Sequence, residues 1–358
     1  MRVLIYTPTY PPVVDGTSIQ AARLAAHLAA WHHIHVLTYA VNRDIRPARK
    51  DVTQEPFVEK ISAEYSDASS RFPQLSGWTP AKRISEIRPD IVHIRGWYQL
   101  RAVESVLDAA LKVSARVLWH GDGLHECHRR FSEVPAYRRL LHKAMMSGVT
   151  FVANSREDFV VYEEAGIGTS RIIVIAPFMP AAARPYPKDW SRPRILSLGR
   201  FFHYKGHADA VSLIRSVTDA EIWLAGAADS ADAPSILTSL TGKGVRLFPD
   251  PTDEQVHDLY SQATHFVLAS ARETLGIVTL EAVAYGCIPL VRKTGGIKSY
   301  LPDAHLFCDT GDFRRKLRFL ISQETMMAKV VERLGVVRER LEPAAIIGVL
   351  ESYYRGQG

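Results

Sequence analysis

The chain has 358 residues, 47% hydrophobic and 23% charged, with a formal net charge of +6. That length is too great for one ordinary domain and suits two, each with its own core. No apolar run reaches the roughly 18 residues of a membrane span, and basic clusters without interleaved aromatics argue against nucleic acid as a partner.

The first residues, "MRVLIYTPTYPP", read as a short strand running into a proline turn and not as a leader peptide. "GTSIQAARLAAHLAAW" carries apolar residues at helical spacing, and "HHIHVLTYA" is the next strand. The stretch from Val41 to Thr79 is polar and irregular. "AKRISEIRPDIVHIRG" reads as a helix, a break at Pro89 and the strand "DIVHIRG". "RAVESVLDAALKV" is helix and "ARVLWHG" strand. "AYRRLLHKAMMSG" is helix with Gly148 as its stop, and "VTFVANS" is strand. "SREDFVVYEEAG" is a helix capped by Ser155 and ended by Gly166, and "RIIVIAP" is strand. "FMPAAARPYPKDWSRP" holds four prolines and no apolar period, which marks a linker. The alternation then restarts, with strands in "RILSLGR", "AEIWLAG", "GVRLFPD", "THFVLAS" and "CIPLVRK", each followed by a helix except the last.

Strands alternating with helices in both halves predict an α/β fold with two parallel sheets, that is, two Rossmann-like domains facing a central cleft. The expected divisions are residues 1–180, a linker at 181–193, a second domain at 194–342 and a C-terminal helix at 343–358. Ligands of such sheets sit beyond the carboxyl ends of the strands, so polar residues there are the site candidates.

Four clusters meet that condition. Glu273 follows "THFVLAS", Gly276 permits close backbone approach, and the helix that begins there suits a phosphate. Glu281 lies deeper in the same apolar helix, where a carboxylate needs a partner; the hydroxyls of a sugar are one such partner, and a plain salt bridge is the alternative. In "SLGRFFHYKGH", Gly199 turns the chain while Arg200 and Lys205 are placed to clamp a diphosphate, unless the loop is simply a solvated basic one. Asp15 and Gly16 occupy the corresponding loop of the first domain. His120 and Asp122 end the strand "ARVLW". His125, Cys127 and His128 are metal-ligand types, but their spacing fits no zinc motif, so no metal site is expected. His32, His33 and His35 read as structural. The three scattered cysteines make no disulfide framework and set the cytoplasm as the expected compartment.

With these residues in hand, the chain resembles the GT-B glycosyltransferases, especially the retaining family 4. "RPDIVHIRG", "FVANSRED", "SLGRFFHYKG" and "RETLGIVTLEAVAYGCIPLVRKTGGI" follow the family's order, and Glu273 and Glu281 stand with seven residues between them ahead of Gly295 and Gly296. The resemblance implies a nucleotide-diphosphate sugar donor (UDP-, GDP- or ADP-linked) and a glycan, lipid-linked or small-molecule acceptor. It implies that Arg200 and Lys205 bind the diphosphate, Glu281 the ribose, Glu273 and the backbone from Leu275 to Ile277 the sugar hydroxyls. His120 would sit beside the reacting carbon and Gly16 near the phosphates and acceptor. The chain departs from the family pattern at Thr274-Leu275, at the single Gly16, at Ala176-Pro177-Phe178 and at Lys298-Ser299. No Asp-x-Asp motif occurs, so the cations are expected to act where a metal acts in other transferases. Rival readings are a nucleotide-sugar epimerase, a sugar phosphorylase or a non-catalytic nucleotide-binding module; the last is disfavoured because no G-x-G-x-x-G follows the first strand. "HRRFSEVPAYRRLLHKAMM" reads as a helix with one core face and one solvated face, the alternative being contact with anionic lipid at the inner face of the membrane.

Overall fold

The computed structural model describes residues 1–11, 15–41, 58–63, 80–97, 100–122, 134–180, 183–322 and 324–356. His125, Cys127 and His128, and most of the stretch between Val41 and Thr79, lie outside the described residues. The chain divides into two compact units, residues 1–178 with 343–358, and residues 179–342.

The first unit holds β1 (Arg2–Tyr6), α1 (Gly16–Leu28), β2 (His33–Val41), β3 (Val58–Ala63), α2 (Pro80–Ile87), β4 (Ile91–Arg95) and α3 (Leu100–Lys112). It continues with β5 (Arg116–His120), α4 (Pro135–Met146), β6 (Thr150–Ala153), α5 (Arg156–Glu164) and β7 (Ile172–Val174). All seven strands are parallel, in the order β3-β2-β1-β4-β5-β6-β7. β1 and β4 are buried along nearly their whole length, which is why they read as unbroken apolar runs and not as alternating ones. One face of the sheet packs a stack of Trp97, Trp119, Phe151 and Tyr162. Ser155 caps α5 by accepting from the Asp158 amide at 3.1 Å.

The second unit holds β8 (Arg194–Leu198), α6 (His207–Arg215), β9 (Glu221–Gly226), α7 (Ala233–Leu240), β10 (Val245–Pro249), α8 (Asp253–Gln262) and β11 (His265–Leu268). α9 (Ile277–Ala284), β12 (Ile288–Arg292), β13 (Leu306–Phe307), α10 (Thr310–Ser322), α11 (Glu324–Arg333) and α12 (Gly335–Arg340) follow. Its six parallel strands run β10-β9-β8-β11-β12-β13. α8 starts on a full capping box, Thr252 with Gln255.

The last helix, α13 (Pro343–Tyr354), belongs to the first unit. Its Ile346, Ile347, Leu350 and Tyr354 are buried against Val3, Ile5, Leu24 and Leu28, and each aliphatic side chain so buried contributes about 1.5–3 kcal/mol. His32 is tied to this helix, its Nε2 lying 2.5 Å from Glu351. Two strands escape the sequence pattern. β3 lies within the stretch read as irregular, and β13 is a two-residue edge strand with no periodicity to show.

Candidate active site

In the second unit, β8 and β11 are neighbours, yet the chain leaves β8 for β9 on one side and leaves β11 for β12 on the other. The crevice beyond such a pair of strand ends is where open α/β sheets take their ligands. The loop after β8 carries Gly199, Arg200 and Lys205, and the loop after β11 carries Glu273, Leu275 and Gly276.

These loops are fitted together by backbone contacts that only glycine allows. A Cβ on Gly226, at the end of β9, would stand 1.8 Å from the Gly199 carbonyl oxygen. One on Gly295 would stand 2.0 Å from the carbonyl oxygen of Glu273, at a φ of +61°. The neighbouring Gly296 amide donates to the Thr274 carbonyl at 2.7 Å. The paired glycines after β12 therefore hold the backbone that carries Glu273. The Ala271 amide donates to the Tyr204 carbonyl at 2.8 Å, which joins the loop of Lys205 to that of Glu273. His207 is buried, and its Nε2 lies 3.2 Å from the Gly199 and 3.3 Å from the Arg200 carbonyl oxygens. Burial pushes its pKa down to about 4.

The side chains add what the sequence did not display. Lys205 Nζ lies 2.7 Å from Glu273 Oε1, with the two side chains 16% and 9% exposed. Arg200 pairs with Asp229 at 3.1 Å and lies over the Phe202 ring. The two cations expected to stand ready for a diphosphate each face a carboxylate. Attraction for an anion here can come from the backbone at the start of α9 and from exchange of these pairs. That start is Gly276, in the left-handed region (φ 71°, ψ 49°), and among the described residues no side chain caps it. Leu275 and Gly276 are buried and Ile277 is half-buried.

Glu281 is 7% exposed. The Tyr260 hydroxyl lies 3.1 Å from its Oε2 and 2.9 Å from the Val278 carbonyl oxygen, donating into this acceptor pair. Tyr260 stacks on Tyr285, and Tyr285 on Tyr186, so the tyrosine that meets the carboxylate is itself fixed.

In the first unit, Gly16 is the exposed first residue of α1. That helix start is already occupied by a carboxylate, since Asp15 accepts from the Ser18 amide at 2.8 Å. His120 ends β5 and is 2% exposed. Its Nε2 lies 2.7 Å from His93 Nδ1 and its Nδ1 lies 3.3 Å from Arg95 Nη1. Burial first, then the Arg95 charge, holds its pKa well below the ordinary histidine value. Both ring nitrogens of His120 are in contact, and the lowered pKa favours an uncharged ring. Asp122 pairs with Arg95, its Oδ2 lying 2.6 Å from Nε. Sequence reasoning missed Asp229, Tyr260, Arg95 and His93; of these, Arg95 and Asp229 show the signal used, a polar residue at or just past a strand end.

Residues 180–334 match the family model described as glycosyl transferases group 1. The matched stretch falls within the second unit and covers less than half of the chain. Arg200, Lys205, Glu273, Glu281 and Gly295 all lie within the matched residues. A glycogen synthase of Flavobacterium johnsoniae is 31% identical over 132 residues, 35% of this chain and 27% of the relative. The lipopolysaccharide core biosynthesis glycosyltransferase LpsE of Rhizobium meliloti is 24% identical over 171 residues, 46% of this chain and 48% of LpsE. The matched stretches therefore span about a quarter and about half of these curated relatives. HepE of Anabaena, solved in complex with UDP, has a TM-score of 0.76 at 15% identity, covering 99% of this chain and 100% of HepE. The α/β fold with two parallel sheets is thus the one found in GT-B glycosyltransferases.

Proposed function

We propose that this chain moves a hexosyl unit, of the glucose or mannose type, from a nucleotide-diphosphate sugar to an acceptor hydroxyl of a glycan, glycolipid or small molecule, with retention at the reacting carbon. The observation that carries the reading is the convergence of Glu281, Glu273, Lys205 and Arg200 on one sheet's switch point, beside an uncapped helix start. In this reading Glu281, oriented by Tyr260, takes the ribose hydroxyls. Arg200, Lys205 and the first amides of α9 take the diphosphate, with no metal needed to share its charge. Those groups stabilise the leaving diphosphate more as the glycosidic bond breaks and negative charge gathers on it. Glu273 and the backbone from Leu275 to Ile277 take sugar hydroxyls, and the leaving phosphate accepts the acceptor's proton. The resemblance also assigns His120 to the sugar at its reacting carbon and Gly16 to the acceptor side; both assignments belong to the proposal. Support for a uridine donor comes from HepE, solved with UDP-glucose as well as with UDP.

The test is calorimetric titration with UDP, GDP and ADP, with Glu281→Ala alongside. One nucleotide is expected to bind and to bind more weakly to the variant. Failure of all three to bind would refute the site. Incubation of the donor alone separates the rivals, since an epimerase changes the sugar without an acceptor and a phosphorylase requires inorganic phosphate.

Location at the cytoplasmic face of a membrane is part of the same proposal. Among the described residues no helix is long and apolar enough to cross a membrane. α4 buries Tyr137, Leu140, Leu141 and Ala144 and turns Arg138, Arg139 and His142 outward, with Met146 74% exposed. That face suits electrostatic contact with anionic lipid.

A further inference from the structure

The first unit contains a line of buried polar side chains of which the proposed transfer calls on His120 alone. β4 sets His93 and Arg95 on one face, two residues apart, and the parallel register puts Arg95 opposite His120 of β5. α13 brings Tyr354 to the same place from 261 positions away. The contacts run Tyr354 hydroxyl to His93 Nε2 at 2.6 Å, His93 Nδ1 to His120 Nε2 at 2.7 Å, and His120 Nδ1 to Arg95 Nη1 at 3.3 Å. Arg95 Nη2 then donates to Asp122 Oδ1 at 2.9 Å. Tyr354 and His93 are fully buried, and His120 and Arg95 are 2% and 3% exposed.

The chemistry of these groups assigns every ring proton. A guanidinium only donates, so His120 Nδ1 must accept. A histidine buried beside Arg95 stays neutral, so its single proton sits on Nε2 and is donated to His93 Nδ1. His93, pushed down to about 3 chiefly by burial, is neutral by the same reasoning. Its proton sits on Nε2 and is donated to the Tyr354 oxygen. The opposite direction would strip both nitrogens of His120.

We propose that His93 and Tyr354 are positioning residues that hold His120 as an uncharged imidazole, protonated on Nε2, at the end of β5. The proposal rests on the glycosyltransferase reading, which assigns His120 to the reacting carbon of the sugar. That carbon gains positive charge as the glycosidic bond breaks, and an imidazolium beside it would oppose the change. A neutral ring does not. The charged and titratable groups around the pair are Arg95 on β4, Asp122 after β5, Asp158 on α5, His32 before β2 and Glu351 on α13. The Arg95 charge faces Asp122, and His32 faces Glu351. Asp158 is felt through Asp122.

The test uses the full chain with nitrogen-15 in its histidines. Long-range proton–nitrogen correlations are recorded from pH 5 to 8 for the wild type, Tyr354→Phe and Tyr353→Phe, with His93→Gln and His120→Gln for assignment. In the wild type, both histidines are expected as neutral rings protonated on Nε2, without titration above pH 5. Tyr354→Phe removes only the final acceptor. It is expected to disturb the His93 and His120 signals, lower kcat about tenfold at a donor KM within twofold, and add an acid limb to the pH profile. Tyr353→Phe, one residue away, is expected to change none of these. A wild-type His120 that titrates above pH 5 or carries its proton on Nδ1 overturns the proposal. So does a Tyr354→Phe variant with wild-type turnover and pH profile. Expected nitrogen signals with no transfer by the wild type from any donor overturn the glycosyltransferase reading, and with it the use of the wire. Transfer with unexpected signals overturns the wire alone.

Discussion

Replacing Glu273 by glutamine separates two things that the structure joins. In the wild type its carboxylate lies 2.7 Å from Lys205 Nζ and neutralises it. A phosphate oxygen bonded to the same ammonium at ~2.8 Å would stand about 5 Å from that carboxylate. At an effective dielectric near 20, two unit charges at that separation repel by about 3 kcal/mol. The side chains keep 16% and 9% exposure, so solvent screens part of this. We expect Glu273→Gln to tighten binding of the free nucleoside diphosphate by about 1–3 kcal/mol, roughly five- to 150-fold in Kd. The same change removes an acceptor for a sugar hydroxyl, so transfer from the intact donor is expected to fall by about a hundredfold. Calorimetry with the diphosphate and initial rates with the sugar nucleotide read the two effects separately. A diphosphate that binds Glu273→Gln no better than wild type would refute the reasoning, because it would mean that the ion pair does not oppose the anion.

Three further outcomes are expected. Gly295→Ala forces a methyl into the Glu273 carbonyl, and it should cut transfer by about a hundredfold while leaving the far-ultraviolet circular dichroism unchanged; wild-type rates would show that the loop does not position Glu273. Acid should destabilise the protein: His207 and His265 are pushed down to about 4 by burial, so the unfolded chain binds their protons first as the pH falls below 6.5. Each should cost roughly 1–2 kcal/mol between pH 7 and pH 5, with loss continuing to about pH 4; a melting temperature that is flat over that range, or unaltered pH dependence in His265→Gln, would contradict this. α4 presents charge and little apolar surface, so flotation is expected with anionic vesicles at low salt and not with zwitterionic ones; flotation with the latter would mean that apolar insertion drives the contact.

Apart from β3 and β13, the strands of both sheets were legible because a buried parallel strand is a local apolar run, and the helix after it is a local 3.6-residue period. Glu273, Glu281, Arg200 and Lys205 were legible for the same reason, being polar residues just past, or one helix beyond, a recognised strand. What pairs with them was not. Asp229 lies 29 positions from Arg200, and Tyr260 lies 21 from Glu281. Such contacts depend on strand order and register, which periodicity does not encode. Tyr354 shows the limit most clearly, since nothing around "GVLESYYRG" marks one tyrosine as the partner of a histidine in β4. The glycine pair at 295 and 296 sits between these cases: visible as a motif, its steric purpose appeared only once the Glu273 carbonyl was seen against it.

The placement of α13 also orders the birth of the molecule. The second unit is one uninterrupted stretch, residues 179–342, whereas the first is closed by residues made after it. During synthesis at about 5–20 residues per second, the nascent first unit waits roughly 8 to 35 seconds for that helix. Until then Val3, Ile5, Leu24 and Leu28 lack the side chains that cover them in the finished fold. The later-made unit is thus complete in sequence before the earlier-made one is closed.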